Sequence, residues 1–170
     1  SPTFSWQTSS WRQQGLAIAE DSAGDVAGTS VAISGDGRTL VLGAPGYNDD
    51  KPGYVEVYYK QFDFTGWKWK LIETFTGNAT GDLFGTSISI SEDGKTLAIG
   101  ASGHWENDRP GYVQVYTRGE DSGSNWTQFG EDIMGMDGAL EFGHSVSLSP
   151  DGKTTAIGAF TTNGMNEIWS

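Results

Sequence analysis

The sequence contains no cysteine among its 170 residues, and it has few basic residues and no long apolar run. The absence of cysteine excludes disulfides, thiol chemistry and zinc sites built on thiolates. A net charge of −12, from 10 Lys and Arg against 22 Asp and Glu, repels the phosphates of nucleic acids and anionic lipids. No run of about 18 apolar residues is present that could span a membrane as a helix. We therefore expect neither nucleic-acid partners nor membrane insertion.

Glycine and aromatic residues are abundant instead. The 25 glycines, with 7 Trp, 6 Tyr and 8 Phe, are typical of a turn-rich all-β protein. Residues 1–10 are polar and are predicted to be a lead-in segment. The chain opens with Ser1-Pro2-Thr3, without an initiator Met or a basic-then-apolar leader, so we expect it to be a mature or excised piece.

One motif recurs three times along the chain. Its copies are Gly28-Thr29-Ser30, Gly85-Thr86-Ser87 and Gly143-His144-Ser145, spaced 57 and 58 residues apart. Each copy is followed by an Asp-Gly pair and then by a Gly-Ala pair at the same spacing. A period of this length, composed of strand-like pieces, predicts a stacked or circular array of β-units.

Each repeat contains four predicted strands. In the innermost strand Ile88 and Ile90 alternate with serines, so one face carries branched apolar groups and the other only small ones. The Asp-Gly pair that follows predicts a hairpin with a type I′ turn. The second strand, such as 97–101, is apolar throughout, so both of its faces must be covered. A third strand begins with Gly-Tyr-Val, and an outer strand carries a repeated Trp.

Four antiparallel strands per unit, ordered from inner to outer, describe a blade of a β-propeller. The predicted units are an outer strand at 11–18, blades at 28–76 and 85–133, and a partial blade at 143–170, which the N-terminal outer strand could complete. Propellers have about four blades or more, so three repeats leave apolar faces open. We expect further blades of the same parent chain, or a second copy, to cover them.

The repeat also resembles a known family. The pattern Gly-Asp-x-Phe-Gly-x-Ser-Ile-Ser-Ile-Ser-x-Asp-Gly-Lys-Thr-x-Ala-Ile-Gly-Ala, followed by Gly-Tyr-Val-x-Val-Tyr, resembles FG-GAP-type propeller repeats, the kind found in the integrin α-subunit head. The resemblance implies an extracellular or cell-surface adhesion or ligand-binding module, either secreted or displayed on the cell.

Calcium is the cofactor that the resemblance would suggest. Calcium-binding repeats of this family place several Asp or Asn residues in the loop between the first and second strands. Here that loop, for example Glu92-Asp93-Gly94-Lys95, offers at most two adjacent carboxylates beside a cation. Calcium prefers about six to eight oxygen ligands. We therefore expect no cofactor; calcium stays open as an alternative that the hairpin loops do not support.

The loops that join second to third strands should share one rim of the propeller with the loops that enter the inner strands. These loops are acidic and carry two aromatic residues. The candidate ligand-binding residues are Tyr47, Asp49, Asp50, Trp105, Glu106 and Asp108. The acids suit polar or cationic groups, and the rings offer platforms for a sugar or a partner side chain. The alternative is a solvated acidic rim whose Asp and Asn residues form turns.

No Ser/His/Asp set, P-loop or nucleotide fingerprint is present, so the chain is predicted not to be an enzyme. His144 replaces the Thr of the other copies and is expected to hydrogen-bond locally. Asn78 and Asn125 each begin an Asn-x-Thr pattern and are candidate N-glycosylation sites.

The leading hypothesis is a non-enzymatic extracellular or cell-surface propeller module for adhesion, scaffolding, or binding of protein or glycan partners. Two alternatives remain open. One is a purely structural subunit of a larger assembly. The other is the non-catalytic portion of a polysaccharide-acting enzyme whose catalytic residues lie elsewhere.

Overall fold

The computed structural model describes residues 17–18, 24–47, 51–103, 110–119, 125–135, 140–160 and 167–169. In this part of the chain all regular secondary structure is β-strand. The strands are β1 (Ser30–Ile33), β2 (Thr39–Ala44), β3 (Tyr54–Asp63), β4 (Gly66–Thr76), β5 (Phe84–Ile90), β6 (Thr96–Ala101), β7 (Tyr112–Arg118), β8 (Trp126–Gln128), β9 (Ile133–Met134), β10 (Leu140–Leu148), β11 (Thr155–Phe160) and β12 (Glu167–Trp169). Within the same residues there is no helix long and apolar enough to cross a membrane.

The strands form three antiparallel sheets, each with its strands in chain order. Blade 1 contains β1 to β4, blade 2 contains β5 to β8 with β9 also paired to β7, and blade 3 contains β10 to β12. This arrangement confirms the predicted all-β fold. Of the predicted outer strand at 11–18, only residues 17–18 are described, and they are not in a strand. The lead-in segment 1–10 lies outside the described residues.

The core lies between consecutive blades. We call the side of a blade directed toward the next blade its forward face, and the opposite side its rear face. On the forward face of blade 1, Val41, Val55 and Val57 are fully buried and share one core cluster with residues of blade 2. Burying each such side chain contributes about 1.5–3 kcal/mol. The blade 2 members of the cluster are Phe84, Ile88, Leu97, Ile99, Ala101, Tyr112 and Trp126.

The second junction repeats the first. Ala98 and Val113, which correspond by repeat position to Val41 and Val55, cluster with Phe142 and Ile157 of blade 3. The second strand of blade 2 is buried from Leu97 to Ala101, as its unbroken apolar sequence predicts. It lies between two blades, so both of its faces are covered.

A serine hydroxyl links each inner strand to the next blade. Ser30 Oγ donates a hydrogen bond to the Gly85 carbonyl at 2.7 Å, and Ser87 Oγ donates to the Gly143 carbonyl at 2.7 Å. The neighbouring second strand has a glycine at this point, Gly43 or Gly100. A Cβ on either glycine would overlap both the serine hydroxyl and the carbonyl of the next blade. The small-residue face of the inner strand therefore allows a close approach between blades.

The predicted type I′ hairpin turn is wrong, although the hairpin itself forms. Gly37 has a φ of 67°, but Asp36 is not among the residues with positive φ, whereas a type I′ turn needs two such residues. The Asp36 carboxylate accepts hydrogen bonds from Ser34 Oγ at 2.6 Å and from the Arg38 N–H at 2.9 Å. These bonds fold a longer loop around the side chain, closed by the Ser34 N–H donating to the Thr39 carbonyl.

The same turn recurs in the other two blades. In blade 3, hydrogen bonds from Ser149 Oγ and then from the Lys153 N–H lower the pKa of Asp151 below its ordinary value. Each hairpin carboxylate is thus held ionised by its own loop.

We predict that Gly100→Ala destabilises the protein much more than Gly158→Ala. The new Cβ at 100 meets the Gly143 backbone carbonyl, whereas the one at 158 meets only the side chain and backbone of Ser145 in its own blade. Overpacking of this kind costs about 1–3 kcal/mol. Urea unfolding in dilute solution, followed by Trp fluorescence, measures both variants, and equal losses would contradict the close approach between blades 2 and 3.

Candidate functional site

Two kinds of loop meet at one rim of the blades, as the sequence predicts. The Gly46 N–H, after the second strand of blade 1, donates to the carbonyl of Asp25 in the loop that enters its inner strand, at 3.1 Å. The Gly103 N–H donates to the Asp82 carbonyl in blade 2 at 2.9 Å. These bonds hold the two loops of each blade side by side.

A pocket of about 240 Å³ lies at this rim. Its lining residues come from all three blades, namely Tyr47, Leu83, Thr86, Ser102, Gly103, Glu141 and His144. We call it the rim pocket. Tyr47 is 48% exposed, so its ring is available to a ligand at the pocket.

The backbone at the rim pocket is strained in the same way in every blade. Val26, Leu83 and Glu141 occupy equivalent repeat positions and have φ values of 53°, 53° and 55°. This left-handed conformation is uncommon for residues other than glycine. A threonine supports it in the first two blades. Thr86 Oγ1, for example, donates to the Leu83 carbonyl at 2.6 Å.

The third copy departs from this pattern. His144 stands where the other copies have threonine, and its Nδ1 lies 3.3 Å from Glu141 Oε2. The local hydrogen bond expected of His144 stays a prediction, with the Glu141 carboxylate as the neighbouring acceptor. The wall of the pocket therefore contains an imidazole–carboxylate pair and the hydroxyls of Thr86 and Ser102. The two hydroxyl oxygens are 3.3 Å apart. Such a set can donate to and accept from a polyhydroxylated or cationic group beside the Tyr47 ring.

The structure brings one of the six predicted ligand residues, Tyr47, into the rim pocket. Asp49 and Asp50 lie outside the described residues, as do Trp105, Glu106 and Asp108, so they stay predictions. Sequence reasoning did not place Thr86, Ser102, Glu141 and His144 together as pocket residues. Glu141 and His144 could have been identified by their departure from the repeat. The other blades have an apolar residue and a threonine at these two positions.

The aspartates in the loops that enter the inner strands, Asp25 and Asp82, have structural roles. Asp82 is buried, and its Oδ2 accepts hydrogen bonds from the Tyr112 hydroxyl at 2.9 Å and the Ala79 N–H at 2.7 Å. Burial, with the Asp82 charge, raises the pKa of Tyr112 above its ordinary value, so the hydroxyl remains a donor. Asp25 is also buried and forms an ion pair with Lys51.

The two candidate glycosylation sites differ in their surroundings. Both asparagines are exposed. The Asn78 amide Nδ2 donates to Asp132 Oδ2 of blade 2 at 2.9 Å, and its Oδ1 accepts from Gln114 at 3.5 Å. Asn125 directly precedes β8. A glycan on Asn78 would therefore be attached at a contact between two blades.

The family model described as FG-GAP repeat matches residues 11–58. No curated protein matches the chain. Among solved structures, hydrazine synthase from Kuenenia stuttgartiensis is similar with a TM-score of 0.46 and 18% identity. The alignment covers 90% of this chain, which spans 37% of the length of that one.

The family match includes β1, β2 and the first half of β3 in blade 1, and the same motif recurs in blades 2 and 3 at the same repeat positions. The resemblance is confirmed for residues 11–58, which match the FG-GAP repeat model, and the antiparallel sheets of the three blades are consistent with repeats of this type.

Proposed function

We propose that this protein is a non-enzymatic binding module, secreted or displayed on the cell surface, whose rim pocket contacts a protein or glycan partner in adhesion or scaffolding. The FG-GAP match supports a protein-binding or structural role, and such repeats are typical of extracellular proteins. The observation that carries the proposal is the rim pocket itself, where the exposed Tyr47 lies beside the Glu141–His144 pair.

The chemistry of the pocket favours a neutral or cationic ligand. Glu141 accepts hydrogen bonds or pairs with a cation, and Thr86 and Ser102 offer hydroxyls for exchange with a sugar or a peptide. The net charge of −12 disfavours an anionic ligand at long range. A pyranose ring or the side chain of a basic residue fits this combination.

Two further proposals are that the module is not catalytic and that its hairpin loops do not bind calcium. The repeated serines are used as structural donors, since Ser30 and Ser87 bind carbonyls of the next blade, and this supports a non-catalytic role. The hairpin aspartates are used by their own turns, which supports a fold that needs no calcium at those loops. Among the described residues no group of three or more metal-binding side chains occurs.

A structural role in a larger assembly is the second candidate function. The rear face of blade 1 exposes Val31 and Ile33, at 64% and 56% of their surface. Side chains of this kind are buried where another blade covers them. This observation favours a partner on that face, in addition to any ligand at the rim.

We predict that Tyr47→Ala lowers ligand binding about tenfold, because an aromatic platform contributes about 0.5–1.5 kcal/mol beyond its buried area. The measurement is binding of the labelled protein to an array of neutral and amino-sugar glycans and to a set of Lys- and Arg-containing peptides. Glu141→Gln should reduce binding of the cationic probes more than that of the neutral ones.

The matched control is Trp67→Ala, because Trp67 is also 48% exposed but lies on β4, outside the rim pocket. This variant should bind as the wild type does. The proposal fails if no probe binds the wild type, or if Trp67→Ala and Tyr47→Ala lose binding equally.

We predict that the protein, when produced through a eukaryotic secretory pathway, carries its N-glycan at Asn125. A glycan on Asn78 would disturb the bonds to Asp132 and Gln114 and destabilise the junction of blades 1 and 2. Intact mass before and after enzymatic deglycosylation measures occupancy. Asn125→Gln should abolish the mass shift and Asn78→Gln should leave it, and the reverse pattern would refute the assignment.

A further inference from the structure

The hairpin that joins β3 to β4 is longer than its equivalent in blade 2. Strands β7 and β8 of blade 2 are paired only as far as Arg118 and Trp126. Their repeat equivalents in blade 1 are Lys60 and Trp69, and the pairing of β3 with β4 continues for three residue pairs beyond them. At about 3.3 Å per residue, the added pairs extend blade 1 by about 10 Å. We call residues 61–68 the hairpin tip.

The hairpin tip lies at the end of blade 1 opposite the rim pocket. The Lys60 N–H, at the base of the tip, donates to the carbonyl of Arg38 at 2.8 Å, and Arg38 belongs to the turn between β1 and β2. This turn precedes β2, whereas Gly46 and Tyr47 at the rim follow β2. The two surfaces can therefore contact different partners at the same time.

Aromatic side chains cover the hairpin tip. Phe64 is fully exposed at the turn, Phe62 is 68% exposed and Trp67 is 48% exposed. Phe62 and Trp67 are cross-strand partners whose ring centroids are 5.2 Å apart. The corresponding loop of blade 2, residues 119–125, contains no aromatic residue. An exposed apolar patch that the repeat does not require indicates an interaction surface.

Hydrogen bonds fix the turn that presents Phe64. The Asp63 carboxylate accepts from the Thr65 N–H at 2.7 Å and from Thr65 Oγ1 at 2.6 Å. Lys68 Nζ lies 2.7 Å from the same carboxylate. The bond from Lys68, followed by those from Thr65, holds the pKa of Asp63 well below its usual range. Asp63 is therefore ionised, and Lys68 balances its charge.

The charge of the hairpin is opposite in sign to that of the whole chain. Residues 60–70 contain three lysines and one aspartate, a net charge of +2, against −12 for the chain. Charges separated by more than about 8 Å are largely screened at physiological ionic strength. Because the tip extends by about 10 Å, the acids of the blades act on it weakly and the lysines determine its local charge. The tip therefore fits an anionic surface, although the net charge of the chain opposes one.

The side chains of the hairpin are ordered by polarity along its length. Phe64 is at the turn, Phe62 and Trp67 follow, and Lys60 and Lys70 lie nearer the blade. The same order occurs at a membrane surface, where apolar groups enter the acyl boundary, Trp prefers the headgroup level and Lys binds anionic headgroups. A hairpin that enters such a surface by its turn places each side chain at its preferred depth.

The geometry of the rings disfavours a carbohydrate ligand at the tip. The Phe62 and Trp67 rings are inclined at 68° to each other, so they share no plane on which successive sugars could stack. Lys60 Nζ lies over one face of the Trp67 ring, 5.0 Å from its centroid. A fluid lipid surface, in contrast, conforms to a convex apolar tip and needs no common plane.

We propose that the hairpin tip docks on a membrane surface that contains anionic phospholipid. Phe62, Phe64 and Trp67 enter the headgroup region, and Lys70 contacts the negative headgroups from behind them. The contact is peripheral, since the eight residues of the tip are too few to span a membrane. It leaves the rim pocket, at the other end of blade 1, available to its own ligand.

Vesicle flotation tests the proposal with the 170-residue chain. Vesicles of phosphatidylcholine with about one fifth phosphatidylserine should bind the wild type. Phe62→Ser and Phe64→Ser should each weaken binding at least about tenfold, because each removes an apolar side chain from the lipid contact. The matched control is Phe129→Ser, since Phe129 is 70% exposed but lies in blade 2, after β8, and this variant should bind like the wild type. Circular dichroism checks the fold of every variant.

Two further variants identify the depth and the charge of the contact. Lipids brominated near the headgroup should quench the Trp fluorescence of the bound wild type, and Trp67→Phe should remove this quenching while it retains binding. Lys70→Glu should weaken binding about tenfold when phosphatidylserine is present, and much less when it is absent.

The outcomes are distinct. A wild type that binds no vesicles overturns the proposal, as does an equal loss of binding in Phe62→Ser and Phe129→Ser. Loss of binding in Lys70→Glu alone would indicate adsorption by charge without entry of the rings, and would also overturn it. Retention by a neutral polysaccharide gel, without vesicle binding, would assign the tip to glycans instead. Tyr47→Ala should bind vesicles normally, so failure of the rim-pocket proposal leaves this result unchanged.

Discussion

The contact on which the rest of the structure depends is the hydrogen bond from a serine hydroxyl to a glycine carbonyl of the next blade, made across a second glycine without a side chain. Ser30 to Gly85 and Ser87 to Gly143 are the two examples. A Cβ at Gly43 or Gly100 would occupy the place of this bond, so the repeated glycines are required by the distance between the blades. The close approach aligns the valines of one blade with the isoleucines and leucines of the next, where most of the apolar surface is buried.

The rim pocket is a consequence of the same stacking. Each blade contributes a turn with a left-handed residue, and the short distance between inner strands places the turns of blades 2 and 3 and the loop of blade 1 around one cavity. A threonine stabilises the turn in two blades, whereas in the third blade His144 takes its place and lies 3.3 Å from the Glu141 carboxylate. The proposed binding site therefore lies where a repeat departs from its structural pattern, as expected for functional sites on a regular scaffold.

Repetition also determines how the middle blade is packed. Blade 2 buries apolar side chains toward blade 1 on one face and toward blade 3 on the other. Its second strand therefore carries apolar residues without alternation, because neither of its faces meets solvent.

The sequence by itself determined the blades. The 57- and 58-residue spacing, the Gly-x-Ser phrase and the unbroken apolar second strand were enough to predict four-stranded antiparallel units that pack on both faces, because these features depend on local strand periodicity and on contacts repeated in every unit. The type I′ turn was missed because the Asp36 side chain, rather than backbone dihedral preference, forms the loop. Only the tertiary structure decided that Asp82 is turned inward onto Tyr112 while Tyr47, Glu141 and His144 meet in one pocket. Tyr47 and His144 are nearly a hundred positions apart in the sequence. Their proximity depends on the distance and rotation between blades, which no single repeat encodes.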